Sequence, residues 1–337
     1  MTGTIMLLSS LQFSLSVTLP TILMMLLGIF LRRRQILDDR FCEMASKLIF
    51  NFSLPTLIFL NVLKSPSEYT GQFSLLATGF VGTVLIYLLA EMGAAKYVKE
   101  RRYRGIFVQG TFRSNSAILG LALAINAYGN SVIGAVSVYT AMLIILFNTF
   151  GVITLTLSLS DNKPNIGRLL ISIAKNPLIL ATLLGMLANP VQELIPKSLM
   201  QTGSYLANIT LPLALICTGA SLNFKQLRKF KAQSEDENAS QTSNQVSQIV
   251  WASSFIRLLI APMFMLMLGK FVFQLDPMSL GVVFLTTATP VASATYAMVR
   301  NYGGDATAAA NLIGITTIGS IFTSSIGLFV LRQLGWV

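Results

Sequence analysis

Apolar blocks of about twenty residues, separated by short polar stretches, run through almost the whole chain. They lie at 12–31, 41–63, 72–95, 104–127, 131–158, 169–189, 198–222, 247–273, 278–300 and 305–332. A helix rises about 1.5 Å per residue, so each block can cross roughly 30 Å of hydrocarbon. In water the blocks would be unsupportable. Only 11% of the 337 residues are charged, against about 25% in an ordinary soluble domain. The expected fold is an all-α polytopic membrane protein with ten transmembrane helices. The first block should persist as a helix: its arginines follow the apolar run, and no small-residue cleavage site is present.

The net charge of +11 invites a nucleic-acid reading, which the placement of the charges removes. If the amino terminus is outside, 18 of the 24 Lys and Arg flank the cytoplasmic side, among them Arg32 to Arg34, Lys96 to Arg104 and Lys225 to Lys231. Only Lys64, Lys197, Lys270 and Arg332 fall on the other side, which predicts both termini outside. Arg113 and Arg257 remain inside spans. The partners expected are therefore the lipid bilayer and a small substrate, with no nucleic acid. No histidine is present, and Cys42 and Cys217 lie far apart in sequence without metal-ligand spacing. Catalytic triads, zinc sites, resident metals and other cofactors are not expected, and neither is an enzyme.

An internal repeat organises the chain. Pro20-Thr21-Ile22-Leu23 with Leu26-Leu27-Gly28 recurs 157 positions on as Pro177-Leu178-Ile179-Leu180 with Leu183-Leu184-Gly185. The same shift carries Asn51-Phe52-Ser53-Leu54-Pro55 onto Asn208-Ile209-Thr210-Leu211-Pro212. Past the polar, flexible cytoplasmic loop expected at about 223–247, the shift grows to 177, pairing Phe107 with Phe284 and Ser116 with Ser293. Residues 1–160 and 161–337 thus form two units of five spans. An odd number turns the second unit upside down, an arrangement of secondary transporters whose substrate site lies near mid-membrane.

Spans 4 and 9 carry the candidate site. Gln109-Gly110-Thr111-Phe112-Arg113-Ser114-Asn115-Ser116 and Thr286-Thr287-Ala288-Thr289-Pro290-Val291-Ala292-Ser293 are too polar and too rich in small residues to face lipid. Such backbone is tolerated at membrane depth where protein or a watery cavity surrounds it. Both spans are expected to be discontinuous and to cross. Their half-helix amino termini would then offer N–H groups and positive dipole ends to an anion. Arg113 is the candidate clamp for a carboxylate, its alternative being to snorkel to the surface or cap a helix end. Asn115, Ser114, Ser116, Thr289, Pro290 and Ser293 are candidate substrate contacts around it. Asn51 and Asn208, each four residues before a proline, either bond the carbonyls those prolines free or join the cavity wall. Arg257 is expected a turn or two from the cytoplasmic face as an anchor. Carboxylates are few, with Glu43, Glu91 and Asp305 all towards span ends. No buried acidic pair marks a proton or sodium site, so potential-driven movement of an anion stands beside symport.

Asn51 to Pro55, Gln109 to Gly120, Leu211 to Ser221, Thr289-Pro290 and Asn301-Tyr302-Gly303-Gly304, in this order across nearly the whole chain, resemble the auxin efflux carrier family. That family includes plant PIN auxin exporters and bacterial carriers of malonate, malate and similar acids. The resemblance implies two inverted five-helix repeats with crossed helices 4 and 9 and elevator-type alternating access. Spans 1, 2, 6 and 7 would be the scaffold, and 3–5 and 8–10 the transport part. It also implies a homodimer through the scaffold, and a bacterial inner (plasma) membrane is the expected location. In plant members a Pro-Asn pair marks the crossing of helix 4, and the asparagine, matching Asn115, contacts the acid. Here Ser114 replaces that proline. The long cytoplasmic domain of plant exporters is reduced to about ten residues, Leu159 to Arg168. The function implied is transport of a small organic anion, with a membrane sensor of a small carboxylate as the alternative.

Overall fold

The computed structural model describes residues 2–63, 73–159, 177–222 and 241–337, with 167, 171 and 175. The 223–247 loop therefore lies largely outside the described residues, as do the connection from Leu159 to Arg168 and most of 169–176. The helices are α1 (Thr2–Arg33), α2 (Asp39–Leu48), α3 (Leu54–Leu63), α4 (Phe73–Tyr97), α5 (Arg101–Phe112), α6 (Leu121–Tyr128), α7 (Ile133–Leu159), α8 (Pro177–Ala188), α9 (Lys197–Asn208), α10 (Thr210–Ala220), α11 (Gln241–Phe255), α12 (Ala261–Met267), α13 (Pro277–Thr287), α14 (Ala294–Asn301) and α15 (Ala306–Gln333). Among the described residues, eight helical runs are long and apolar enough to cross a bilayer: Leu8–Arg33, Asp39–Leu63, Phe73–Tyr97, Ile133–Leu159, Pro177–Leu194, Lys197–Ala220, Asn244–Val272 and Ala306–Gln333. Sequence spans 4 and 9 are absent from that set because each is interrupted midway.

The outer surface is apolar. Leu8, Leu11, Leu15, Leu19, Leu23 and Leu26 of α1 are exposed, as are Leu180, Leu183, Leu184 and Leu187 on and around α8. A continuous apolar face of that kind needs lipid, since water-soluble monomers do not expose contiguous patches so large. Polar residues turn inwards instead. Thr140, Ser253, Thr286 and Thr316 are buried and donate to the carbonyls of Val136, Ile249, Val282 and Leu312, each four residues back. Where water is absent, that local bond keeps a hydroxyl satisfied.

Two prolines within spans follow a local widening of the helix. A π turn over Ile49–Ser53 joins α2 to α3 just ahead of Pro55, and another over Ile256–Ile260 joins α11 to α12 ahead of Pro262. The extra residue per turn makes room for a ring that cannot donate to the preceding turn. Helix ends near the polar connections carry side-chain caps. Asp38 accepts from the Phe41 N–H (2.7 Å), Asp276 from Ser279 (3.0 Å) and Asp305 from Ala308 (2.9 Å), each satisfying a donor the helix leaves orphaned. Helices α1 and α10 approach closely because Gly28 lies against the Ile216 carbonyl and Gly219 against the Met25 carbonyl. Cys42 and Cys217, remote in sequence, share a small buried cluster with Leu37, Ala45 and Ala220, both as free thiols.

Candidate functional site

The two interruptions meet. α5 ends at Phe112, and Arg113 turns to an extended backbone (φ −88°, ψ 103°). Asn115 is also non-helical, and helix resumes through a π turn at Ser116–Gly120 into α6. On the other side α13 ends at Thr287 and α14 begins at Ala294, with Pro290 between them unable to donate to a helical turn. The stretches pair as an isolated antiparallel bridge between Ser114 and Val291. The Asn115 N–H donates to the Pro290 carbonyl (2.8 Å), and the Ala292 N–H to the Arg113 carbonyl (3.4 Å). The Val291 N–H is taken by the Thr316 hydroxyl (3.1 Å). Two unwound segments thus satisfy each other's backbone in the interior, and the break at Ser114 forms without a proline.

Each crossing segment has a carboxyl end and an amino end at the centre, and they are treated differently. Arg257, on the π turn between α11 and α12, is only 1% exposed. Its Nη1 donates to the carbonyls of Thr111 (3.3 Å) and Phe112 (3.0 Å), and its Nη2 to that of Thr287. One guanidinium therefore caps the last turns of both α5 and α13, where unpaired carbonyls and negative dipole ends converge. The sequence expectation of an anchor near the cytoplasmic face is corrected in place: Arg257 sits at the crossing. A hydrophobic neighbourhood gave no sign that two helix ends converge there.

The amino ends open into a cavity of about 220 Å³ lined by Phe50, Asn51, Arg113 to Ala117, Ile144, Phe147, Asn148, Pro177, Leu178 and Ala292 to Ala294. Of the sequence candidates, Arg113, Ser114, Asn115, Ser116, Ser293 and Asn51 come together on this wall. Thr289 and Pro290 line a separate pocket of about 20 Å³ with Thr18, Thr21, Ile22, Met25, Leu119, Leu123, Ser320, Ile321 and Ser324. Asn208 is exposed and borders neither. Arg113 does not snorkel: it is 5% exposed, and its Nη1 donates to the Phe147 carbonyl (3.0 Å) and approaches the Met298 sulfur (3.0 Å). Its Nη2 donates to Asn148 Oδ1 (3.0 Å), and its Nε has no partner among the described residues. The charge is thus held by neutral acceptors, and among the described residues no carboxylate is on the cavity wall.

Sequence reasoning missed Asn148 and Met298. Asn148 had a signal available, being an amide directly after the apolar run Leu143 to Phe147; Met298 had none. Gly151, one turn beyond, leaves room for the guanidinium: a Cβ there would stand 2.9 Å from Arg113 Nη1 and 3.1 Å from Gln109 Nε2. A buried cation, an amide and two helix amino termini facing one small cavity can hold a carboxylate or similar anion out of water.

Comparison with known proteins places the chain among membrane transporters. The family described as "Membrane transport protein" matches residues 13–166 and 165–327. The chain is similar to the uncharacterized transporter YfdV of Escherichia coli (strain K12), 23% identical over 334 residues that span 96% of this chain and 99% of that protein. The YfdV proteins of Escherichia coli O157:H7 and Shigella flexneri match to the same extent. With nearly its whole length matched, the chain belongs to this auxin efflux carrier-like family of membrane transport proteins.

Proposed function

We propose that the protein is a secondary transporter that moves a small organic anion, a mono- or dicarboxylate or an auxin-like acid, by elevator-type alternating access. The observation that carries this reading is the cavity at the crossing, where Arg113, uncompensated by any acid among the described wall residues, and two helix amino termini face the same space. Its volume of about 220 Å³ lies below the roughly 300–1,000 Å³ of pockets for drug-sized ligands, which favours a small acid. Arg113 and Asn115 are the proposed principal contacts, with Ser114, Ser116, Ser293 and Asn51 around them.

Ten spans in two inverted units, 1–160 and 161–337, support the transport cycle. The two pockets are lined by repeat-related positions: Thr21 and Leu178 lie 157 apart, Ile144 and Ile321 lie 177 apart, and so do Phe147 and Ser324. Repeat-related positions therefore line both pockets, the larger of about 220 Å³ and the smaller of about 20 Å³. Spans 1, 2, 6 and 7 act as scaffold, with a homodimer formed through them, and spans 3–5 and 8–10 carry the substrate. The protein sits in a bacterial inner membrane with both termini outside, as the arginine-rich connections require. Liposomes containing the purified protein, given labelled malonate, malate and indole-3-acetate, test the reading. Accumulation or counterflow of one acid is expected; saturable binding with no flux would make the protein a sensor.

A further inference from the structure

Arg113 is positioned by three acceptors, the Phe147 carbonyl, the Met298 sulfur and Asn148 Oδ1, and only the last can be changed into a charge without altering its shape. Aspartate differs from asparagine by one terminal atom, would accept the same bond from Nη2, and would add a negative charge about 3 Å from the guanidinium. At that separation in a site shielded from water, a carboxylate cancels most of the field that an incoming anion would feel. The chain has a neutral amide there instead. We infer that Asn148 is a positioning residue that fixes the Arg113 guanidinium while leaving its charge free, and that the neutrality of position 148 sets the affinity for the anion. The inference rests on the transport reading and deepens it.

A merely structural role and a charge-setting role predict opposite orders. If only the hydrogen bond matters, Asn148→Asp keeps it and should bind like wild type, whereas Asn148→Ala loses it and should bind worse. If neutrality matters, Asn148→Asp is the worse of the two. The test is equilibrium binding of whichever labelled acid among malonate, malate and indole-3-acetate the wild type accumulates, on purified protein matched for amount and monodispersity. Asn148→Ala is expected to raise Kd several-fold and Asn148→Asp at least tenfold. Wild-type Kd in Asn148→Asp, or a smaller loss than in Asn148→Ala, overturns the inference.

Should the aspartate variant fail to fold, the pair Arg113→Gln and Arg113→Gln/Asn148→Ala decides. Asn148→Ala should weaken binding no further once the guanidinium is gone, and a full additive loss overturns the inference. The underlying reading fails separately, if wild type accumulates none of the acids or Arg113→Gln binds as wild type does. An impaired Arg113→Gln beside an unaffected Asn148→Asp leaves that reading standing and removes only the role of Asn148.

Discussion

Arg113 and Arg257 are the two basic residues that topology leaves unexplained, and the structure gives them different work. Arg257 spends its donors on three backbone carbonyls and faces helix ends of negative dipole. Removing it leaves those carbonyls without a partner in a dry interior, at about 1–3 kcal/mol each. Arg257→Ala is therefore expected to lower the thermal midpoint of the purified protein sharply, with partial recovery in Arg257→Lys; an unshifted melting curve would mean water or rearrangement replaces the cap. Arg113 faces the cavity, so its loss should appear in transport first. Arg113→Ala removes a charge-assisted contact of about 1.5–3 kcal/mol, which corresponds to a roughly tenfold to hundredfold rise in KM. Membrane abundance should stay near wild type, and unchanged uptake kinetics would sink the assignment. Sequence alone could flag both arginines as costly at membrane depth. It gave Arg257 an anchoring role but not its place as a cap, because that depends on which ends of which half-helices surround the guanidinium.

At the scale of elements, the legible part of this fold is the part dictated by the solvent. Apolar length specifies where helices cross, and polar, small-residue runs at Gln109 to Ser116 and Thr286 to Ser293 specify where helices cannot be continuous against lipid. The π turns at Ile49–Ser53 and Ile256–Ile260 were not legible, since they arise from tertiary fitting of Pro55 and Pro262 and not from any residue preference. Nor was the fate of the related asparagines, which depends on how each surrounding helix rotates: Asn51 turns to the cavity and Asn208 to the exterior. The crossing itself depends on close approach. A Cβ on Gly120 would stand 2.8 Å from the Thr286 Cα, a backbone atom that cannot swing aside. Gly120→Ala should therefore push the π turn off α13, costing about 1–3 kcal/mol as overpacking does. Uptake is expected to fall together with thermal stability, and a variant with wild-type values of both would show that the crossing has slack.

At the scale of the whole molecule, the two pockets bear on the proposed transport cycle because they share positions 157 or 177 residues apart and differ about tenfold in volume. Under the proposed inversion the two pockets, which contain repeat-related positions such as Ile144 and Ile321, open to opposite sides of the membrane mid-plane. Ser293 lines the pocket of about 220 Å³ and Ser320 the pocket of about 20 Å³. The chain has two cysteines, Cys42 and Cys217, so a background with both replaced by serine makes single introduced thiols readable. In that background Ser293→Cys should react with a membrane-impermeant maleimide from one side of the membrane only. Ser320→Cys should resist the reagent in the resting protein, because Ser320 is buried and its pocket measures only about 20 Å³, and become reactive from the opposite side when the transported acid drives the cycle. Reaction of both positions from the same side would break the inverted-repeat account. Reaction of Ser320→Cys that ignores substrate would leave the inversion intact while removing the elevator step.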